Sequence, residues 1–426
     1  MADKIPYLKQ DYGRTFAMWK EWLLFDGVKG CTPVDIEGVG LRMSKVPKPL
    51  PGQVPTPPPA SKQAAPAQAT APAAPAAKPK AAASHTEEDK RREKAKALPD
   101  FDLLDVVDAM RAEGFTNGAK FAERWFQGRS YSAYVKVPGD TQMKEGRYDK
   151  DMIDTDTVKI SWLLKYPKVR QKYDDLIFRT NNIAAVNVLR NKFAQLFNQD
   201  PNFAGELDAL VHCRKDLQDL HSQFHFQLSD VTMMDGLMDL NLSSAGKYAQ
   251  YFGMSDVSAA LGNFNFYATV ARAQVHKSVY YRYNTPQGTL SCRHHKVIVT
   301  HIYVYARDSY SFYDARKASQ YLGHWNKKGL VINPEAMALH LVMMQTKASN
   351  DSWLNQRIEL NEPYVVDIGA NLKPADVYYP VRNRDYQQWR AKHGRGGDFL
   401  IYSDLKLIKL EKPIFLDMGE VCQPKV

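Results

Sequence analysis

At 426 residues the chain exceeds one compact unit, so two or three domains are expected. Its 44% hydrophobic and 11% aromatic content belongs to a protein with a substantial core, which excludes disorder over the whole length. The net charge of +10 is concentrated: ten Lys or Arg against four Asp or Glu lie between Ser44 and Ala97. A basic flexible segment predicts salt-sensitive attraction to polyanions, and specific nucleic-acid binding is not expected.

The first segment, residues 1–43, carries Phe16, Trp19, Leu23 and Leu24 at helical spacing. This predicts one amphipathic helix, which cannot fold alone and must dock either on the main body or on a partner. The N-terminal stretch MADKIPYLKQDYGRTF lacks the apolar core of a secretory signal, and no run of about 18 apolar residues occurs, so neither a cleaved signal peptide nor a transmembrane helix is expected. Residues 44–97 contain no aromatic residue, and eleven of the chain's 24 prolines fall between Pro47 and Pro79. Such a composition cannot bury enough apolar surface to offset its ordering entropy, which predicts a disordered, semi-extended linker.

Residues 98–258 read as a helical domain. One helix carries Leu103, Leu104, Val107 and Met110 and stops near Gly114; the next starts at Thr116, buries Phe121, Ala122 and Trp125, and ends at Gly128. In a third, VKISWLLKYPKVRQKYDDLIF, Pro167 forces a kink or break. A fourth runs through Val186, Leu189, Phe193 and Leu196. The spacing of Phe203, Leu207, Leu210, Leu217, Phe224 and Leu228 predicts a fifth of about seven turns.

From residue 259 to 426 the period becomes two. Phe264, Phe266, Ala268 and Val270 alternate with other residues as in a half-buried strand, NTPQG is a turn, and KVIVTHIYVY is apolar on both parities, as in a central strand. Two helices, NPEAMALHLVMMQ and RDYQQWRAKHG, interrupt this region. The fold class is therefore α+β: an N-terminal helical domain followed by a β-rich, antiparallel or mixed-sheet or barrel-like C-terminal domain with inserted helices.

The stretch RDSYSFYDARKASQYLGHWNKKG, from Arg307 to Gly329, concentrates acids, phenols and a histidine after an apolar run. Carboxylates and phenols at a strand exit are rigidly held yet reachable, which suits general acid–base chemistry. Asp308, Tyr310, His324 and Arg395 are the catalytic candidates. The competing reading is that Tyr310, Phe312, Tyr321, Leu322 and Trp325 pack on the sheet while Asp308 caps a turn. In WRAKHGRGGDF, the residues Arg390, Lys392, His393 and Arg395 could contact an anion or headgroup; the structural alternative is a helix stop and tight turn in which Asp398 pairs with an arginine.

His221 and His225 stand four apart, but Ser222 occupies the position of a zincin glutamate and no third ligand is identifiable, so they read as polar helix surface. His294, His295 and His301 flank a strand in the same way. No metal ligand is assigned, and without a Gly-rich nucleotide fingerprint or nucleophile elbow no cofactor is expected. Cys31, Cys213, Cys292 and Cys422 are scattered singly, with no disulfide framework, as in a protein of the reducing cytoplasm.

FDLLDVVDAMRAEGFTNGAKFAERWF with DTDTVKISWLLKYPKV, and VTHIYVYARDSYSFYDARKASQYLGHWN with YYPVRNRDYQQWRAKHGRGGDFLIYSDLKL, resemble a family of uncharacterised proteobacterial proteins often encoded near type VI secretion genes. The resemblance covers roughly residues 98–415. It implies a role in contact-dependent competition between bacteria, as an antibacterial effector or, alternatively, as a non-enzymatic adaptor, chaperone or immunity protein that binds an effector. The implied partners are the secretion apparatus or an effector or immunity protein. The implied location is the cytoplasm of the producing cell, with export independent of a cleaved signal peptide, and envelope contact stays open. A comparison of Asp308-Ser309-Tyr310 with the D-x-Y-D motif of colicin M-type toxins fails at the chemistry, because Ser311 replaces the second aspartate and Lys317-Ala318 stand in place of His-Arg.

Overall fold

The structure is a computed structural model and describes residues 41–52, 101–136, 143–233, 235, 255–314, 319–327, 329–331 and 377–424, with the backbone alone of 5–9, 18–22 and 364–365. The chain is α+β. In chain order its strands are β1 (Ile5–Lys9), β2 (Met18–Trp22), β3 (Tyr134–Lys136), β4 (Met143–Glu145), β5 (Ile153–Asp154), β6 (Gly205–Asp208), β7 (His225–Val231), β8 (Phe264–Thr285), β9 (Gly288–Tyr310), β10 (Tyr321–Asn326), β11 (Gly329–Val331), β12 (Tyr364–Val365), β13 (Val377–Arg382), β14 (Phe399–Tyr402) and β15 (Lys406–Pro424). Its helices are α1 (Val106–Ala112), α2 (Thr116–Gln127), α3 (Ile160–Leu163), α4 (Pro167–Phe178), α5 (Ile183–Gln199), α6 (Ala209–His212), α7 (Leu217–Phe224), α8 (Asp256–Leu261) and α9 (Asn383–His393).

Two compact units divide the chain, and they interleave along it. One comprises residues 1–144, 240–253 and 311–398, and the other 145–239, 254–310 and 399–426. The helical segment 98–258 and the β-rich segment 259–426 thus each contribute to both.

In the first unit six of the described strands form one sheet in the order β11-β10-β13-β12-β1-β2, antiparallel except where β1 runs parallel to β12, and β3 pairs with β4 as a separate two-stranded sheet. Its core is aromatic. Trp125 is fully buried and meets Phe312 edge-on at 5.0 Å and Tyr386 at 5.3 Å, while Phe312 and Tyr386 stack at 3.6 Å. Such pairs exploit the ring quadrupole as well as the area they bury. Gly396, at φ +92°, allows the chain to run over the indole, since a Cβ there would sit 2.6 Å from Trp125.

In the second unit β9 is the central strand. β8 pairs along its length on one side, and β15 followed by β14 pair along the other. This explains why KVIVTHIYVY is apolar on both parities. β7 and β6 continue the sheet beyond β8, and β5 lies parallel to β14. Helix α4 packs on β7 and β8 with Tyr173 edge-on to Phe266 at 5.5 Å, and α5 packs on β7 and β15. Pro167 breaks the third predicted helix cleanly: α3 ends before it and α4 begins with it, where its missing N–H costs nothing.

Four expectations are corrected. The helix read over the N-terminal segment is not formed at Met18–Trp22, which is a strand paired antiparallel with Ile5–Lys9; cross-strand pairing overrides helical spacing. The linker begins later than residue 44, because Ser44 and Lys45 donate their N–H groups to Asp102 at 2.6 and 3.1 Å and Leu50 donates to Gln127 at 3.1 Å. The predicted fifth helix is instead β6, α6, α7 and β7. Arg214 and Lys215 take positive φ between the two helices, Asp216 caps α7 through Gln218 and Asp219, and pairing with β8 recruits His225–Val231 as a strand. Finally, two of the single cysteines are joined. Cys292 and Cys422, separated by 130 positions, are directly opposed on β9 and β15 and form a disulfide with a Cα–Cα distance of 4.0 Å. Strand register made a pair that spacing along the chain could not reveal. The linker between residues 53 and 97 and the helix predicted at NPEAMALHLVMMQ lie outside the described residues.

Candidate functional site

The catalytic candidates fall in different units. In the first, Arg395 is 5% exposed and donates to the carbonyls of Pro47 and, at 3.0 Å, Gln127. Burial lowers its pKa. His324 is 1% exposed, with Nδ1 2.5 Å from the Tyr321 hydroxyl. Three of the four residues of the anion-contact reading, Arg390, His393 and Arg395, have internal partners. Arg390 is paired with Asp398 and lies 5.1 Å over the Trp125 ring, and His393 Nε2 bonds the Met43 carbonyl at 2.9 Å. Lys392 alone of the four is exposed. The tight-turn alternative describes this loop: α9 ends at left-handed Gly394, and Asp398 accepts from Arg390, from Trp125 Nε1 at 3.1 Å and from the Ala133 N–H at 3.1 Å. Its carboxyl is pushed up by burial against the pull of Arg390.

The second unit brings Asp308 and Tyr310 together on one face of β9, because residues two apart in a strand point the same way. Tyr310 stacks on Phe399 at 5.1 Å. Asp308 lies opposite Ile401 and accepts from the Ser309 N–H. Burial raises its pKa to about 7, so it is poised to hold or release a proton near neutrality.

The opposite face of β9 carries a hydrogen-bonded cluster that sequence reasoning missed. Arg307 donates to Glu145 at 2.9 Å and to the Tyr402 hydroxyl at 3.3 Å, and the Tyr402 hydroxyl donates to the Leu217 carbonyl at 3.2 Å. Tyr148 reaches Glu145 at 3.1 Å and Ser309 Oγ at 2.5 Å. Deeper, His221 Nδ1 bonds the Tyr305 hydroxyl at 2.9 Å and its ring stacks on His225 at 4.4 Å. Burial, with Arg307 nearby, drives the His221 pKa down to about 2, so it stays neutral. This corrects the reading of His221 and His225 as polar helix surface: they lie half-buried under the sheet, on α7 and at the start of β7. The cluster draws on four separated segments, and no local spacing marks it. Its one legible signal was the alternation of Tyr305, Arg307 and Ser309 on a strand.

At the hairpin end of the same sheet, β8, β9 and β15 form a three-stranded ladder with two unlike faces. Register aligns Val279 with Arg293 and Val421, and Tyr281 with Ser291 and Gln423, so one face carries Val279, Tyr281, Tyr283 and Val421. All four are exposed, Tyr283 at 67% and Val421 at 61%. The other face carries Tyr280, Arg282, Cys292, His294, Glu420 and Cys422. Between Asp256 and Asp308 there is no Asp or Glu, while Arg272, Lys277, Arg282, Arg293, Lys296 and Arg307 are all cationic.

Together these features define an α+β protein with two large, mostly antiparallel sheets, one holding a polar cluster around its central strand and ending in an aromatic, basic ladder. The chain belongs to a family of unknown function, DUF6402, whose profile matches residues 101–418. No curated protein and no solved structure matches it. No helix among the described residues is long and apolar enough to cross a membrane.

Proposed function

We propose that the protein is a binding component of contact-dependent competition between bacteria, an adaptor or chaperone that grips a protein partner of the type VI secretion machinery or one of its effectors. The observation that carries this is the exposed face of Val279, Tyr281, Tyr283 and Val421, flanked by Arg293. Tyrosine and arginine supply large, amphipathic contact area and dominate binding hot spots. The absence of acids along β8 and most of β9 favours an acidic partner surface. The resemblance of residues 98–415 to proteins encoded near type VI secretion genes supports this setting, and a cytoplasmic location in the producing cell before export without a cleaved signal belongs to the same proposal.

The second reading, an antibacterial effector with enzymatic activity, is favoured by Asp308, whose carboxyl titrates near neutrality beside Tyr310. Expression of the chain in the cytoplasm or, with an added signal, in the periplasm of a naive host separates the two. The binding reading predicts unimpaired growth and co-purification with a co-expressed product of a neighbouring secretion gene, lost in Tyr281→Ser/Tyr283→Ser. Killing that Asp308→Asn abolishes in a folded protein would replace it with the effector reading.

A further inference from the structure

The two sulfurs of Cys292 and Cys422 and a carboxylate oxygen of Glu420 all lie within 4.8 Å of one another. They share a face of the ladder because Cys292 is opposite Cys422 and Glu420 precedes Cys422 by two positions on β15. The carboxylate is pre-oriented. Arg282, on the same face of β8, holds one oxygen of Glu420 in an ion pair, while the other, Oε1, is buried and makes no hydrogen bond. A buried carboxylate oxygen without a donor is costly, and a cation is the partner that satisfies it. His294 stands on the same face opposite Glu420, with Nε2 bonded to Asp417 at 2.6 Å, the carboxylate–histidine arrangement that orients metal-binding imidazoles.

We infer that, when its disulfide is reduced, this face is a binding site for a divalent cation of the zinc class, with Cys292, Cys422 and Glu420 as ligands. Two thiolates with an oxygen donor suit Zn²⁺, whose bonds to sulfur run about 2.3 Å and place neighbouring ligand atoms roughly 4 Å apart. The sulfurs move apart to that spacing once the S–S bond opens. The exchange balances: a dithiol reductant gives two electrons and two protons to the disulfide and is itself oxidised to a disulfide. The two thiols then each release a proton as the cation binds. Cys422 is half-exposed, so a reductant can reach it. The fourth position falls to His294 or water. The same two sulfurs therefore close covalently in an oxidising compartment and hold a metal in a reducing one, on the face of the ladder opposite Tyr281 and Tyr283. This inference is independent of the proposed binding role.

The test uses the full chain, reduced with a phosphine and then freed of it, and titrated with Co²⁺ alone and with Zn²⁺ as competitor. One equivalent of Co²⁺ should give the visible bands of a tetrahedral site and the near-ultraviolet band of thiolate ligation, both erased by Zn²⁺. The oxidised chain should give neither. Cys213→Ser should behave as wild type, because burial pushes the thiol of Cys213 up to about 11 and keeps it protonated. Cys292→Ser and Cys422→Ser should each lose the thiolate band, and Glu420→Gln, a substitution of the same shape, should weaken binding about tenfold or more. The inference is overturned if reduced and oxidised chains bind Co²⁺ alike, if neither binds, or if a folded Cys292→Ser/Cys422→Ser chain keeps the thiolate band.

Discussion

In the unit built around Trp125, charged groups are buried to close a loop: Asp398 collects Arg390, the Trp125 indole and a backbone N–H, and every candidate ligand in that loop except Lys392 is spent on an internal partner. In the unit built around β9 the charged and titratable groups instead gather along that strand from several segments, and some are displaced from their ordinary ionisation, Asp308 upward and His221 downward. The first arrangement is what a fold does with polar groups it must hide. The second leaves a carboxyl that can change state at neutral pH, which is why function is sought on β9 and stability near Trp125.

The sharpest way to break this comparison acts on covalent closure in the β9 unit. Cys292→Ser/Cys422→Ser opens a loop of 130 positions and should cost up to about 5 kcal/mol by chain entropy, read as a lower denaturant midpoint in oxidised protein and as no difference in reduced, metal-free protein. Asp398→Ala should cost about 3–5 kcal/mol, because it strands the Arg390 charge beside a fully buried indole. Its melting transition should fall whatever the pH between 6 and 8. An effect confined to partner binding would instead mark that loop as a surface.

Smaller effects sharpen the contrast through proton linkage. Because the Asp308 pKa is raised in the fold, the native state holds a proton that the unfolded chain has lost. Stability from this group is complete below about pH 4 and is lost as pH rises to about 7. Asp308→Asn should therefore stabilise by about 1–3 kcal/mol at pH 8 and by little at pH 4, as measured by chemical denaturation at the two values. His221 works in the opposite direction. Its pKa is lowered, so the unfolded chain binds the extra proton, and stability falls as pH drops below about 6.5. His221→Gln should flatten that acid limb. Smallest of all, Tyr281→Ser/Tyr283→Ser should change stability by less than about 0.5 kcal/mol in chemical denaturation, since both rings are exposed. A larger drop would show that the aromatic face is part of the core.

Where local rules suffice, the sequence was readable. The helix ending at Gly128, the break at Pro167, the hairpin at NTPQG and the central position of β9 all follow from caps, ring sterics, turn residues and two-sided apolarity, which act within a few residues. Reading failed where long-range pairing overrode spacing. Phe203–Leu228 has helical periodicity, yet strand pairing with β8 takes His225–Val231, and a turn with positive φ at Arg214 and Lys215 separates the remaining helices. Asp308 and Tyr310 were legible as residues at a strand exit, but Glu145, Tyr148, His221 and Tyr402 were not, because they meet Arg307 from distant segments.

The sequence by itself determined the α+β class and most helix and turn positions, since these rest on short-range backbone and capping energetics. Tertiary structure alone decided which groups ionise abnormally, that Arg395 and His324 are buried and engaged, and that Cys292 faces Cys422 with Glu420 on the same face. Those properties depend on desolvation and on strand register, and neither is defined until segments more than a hundred residues apart have paired.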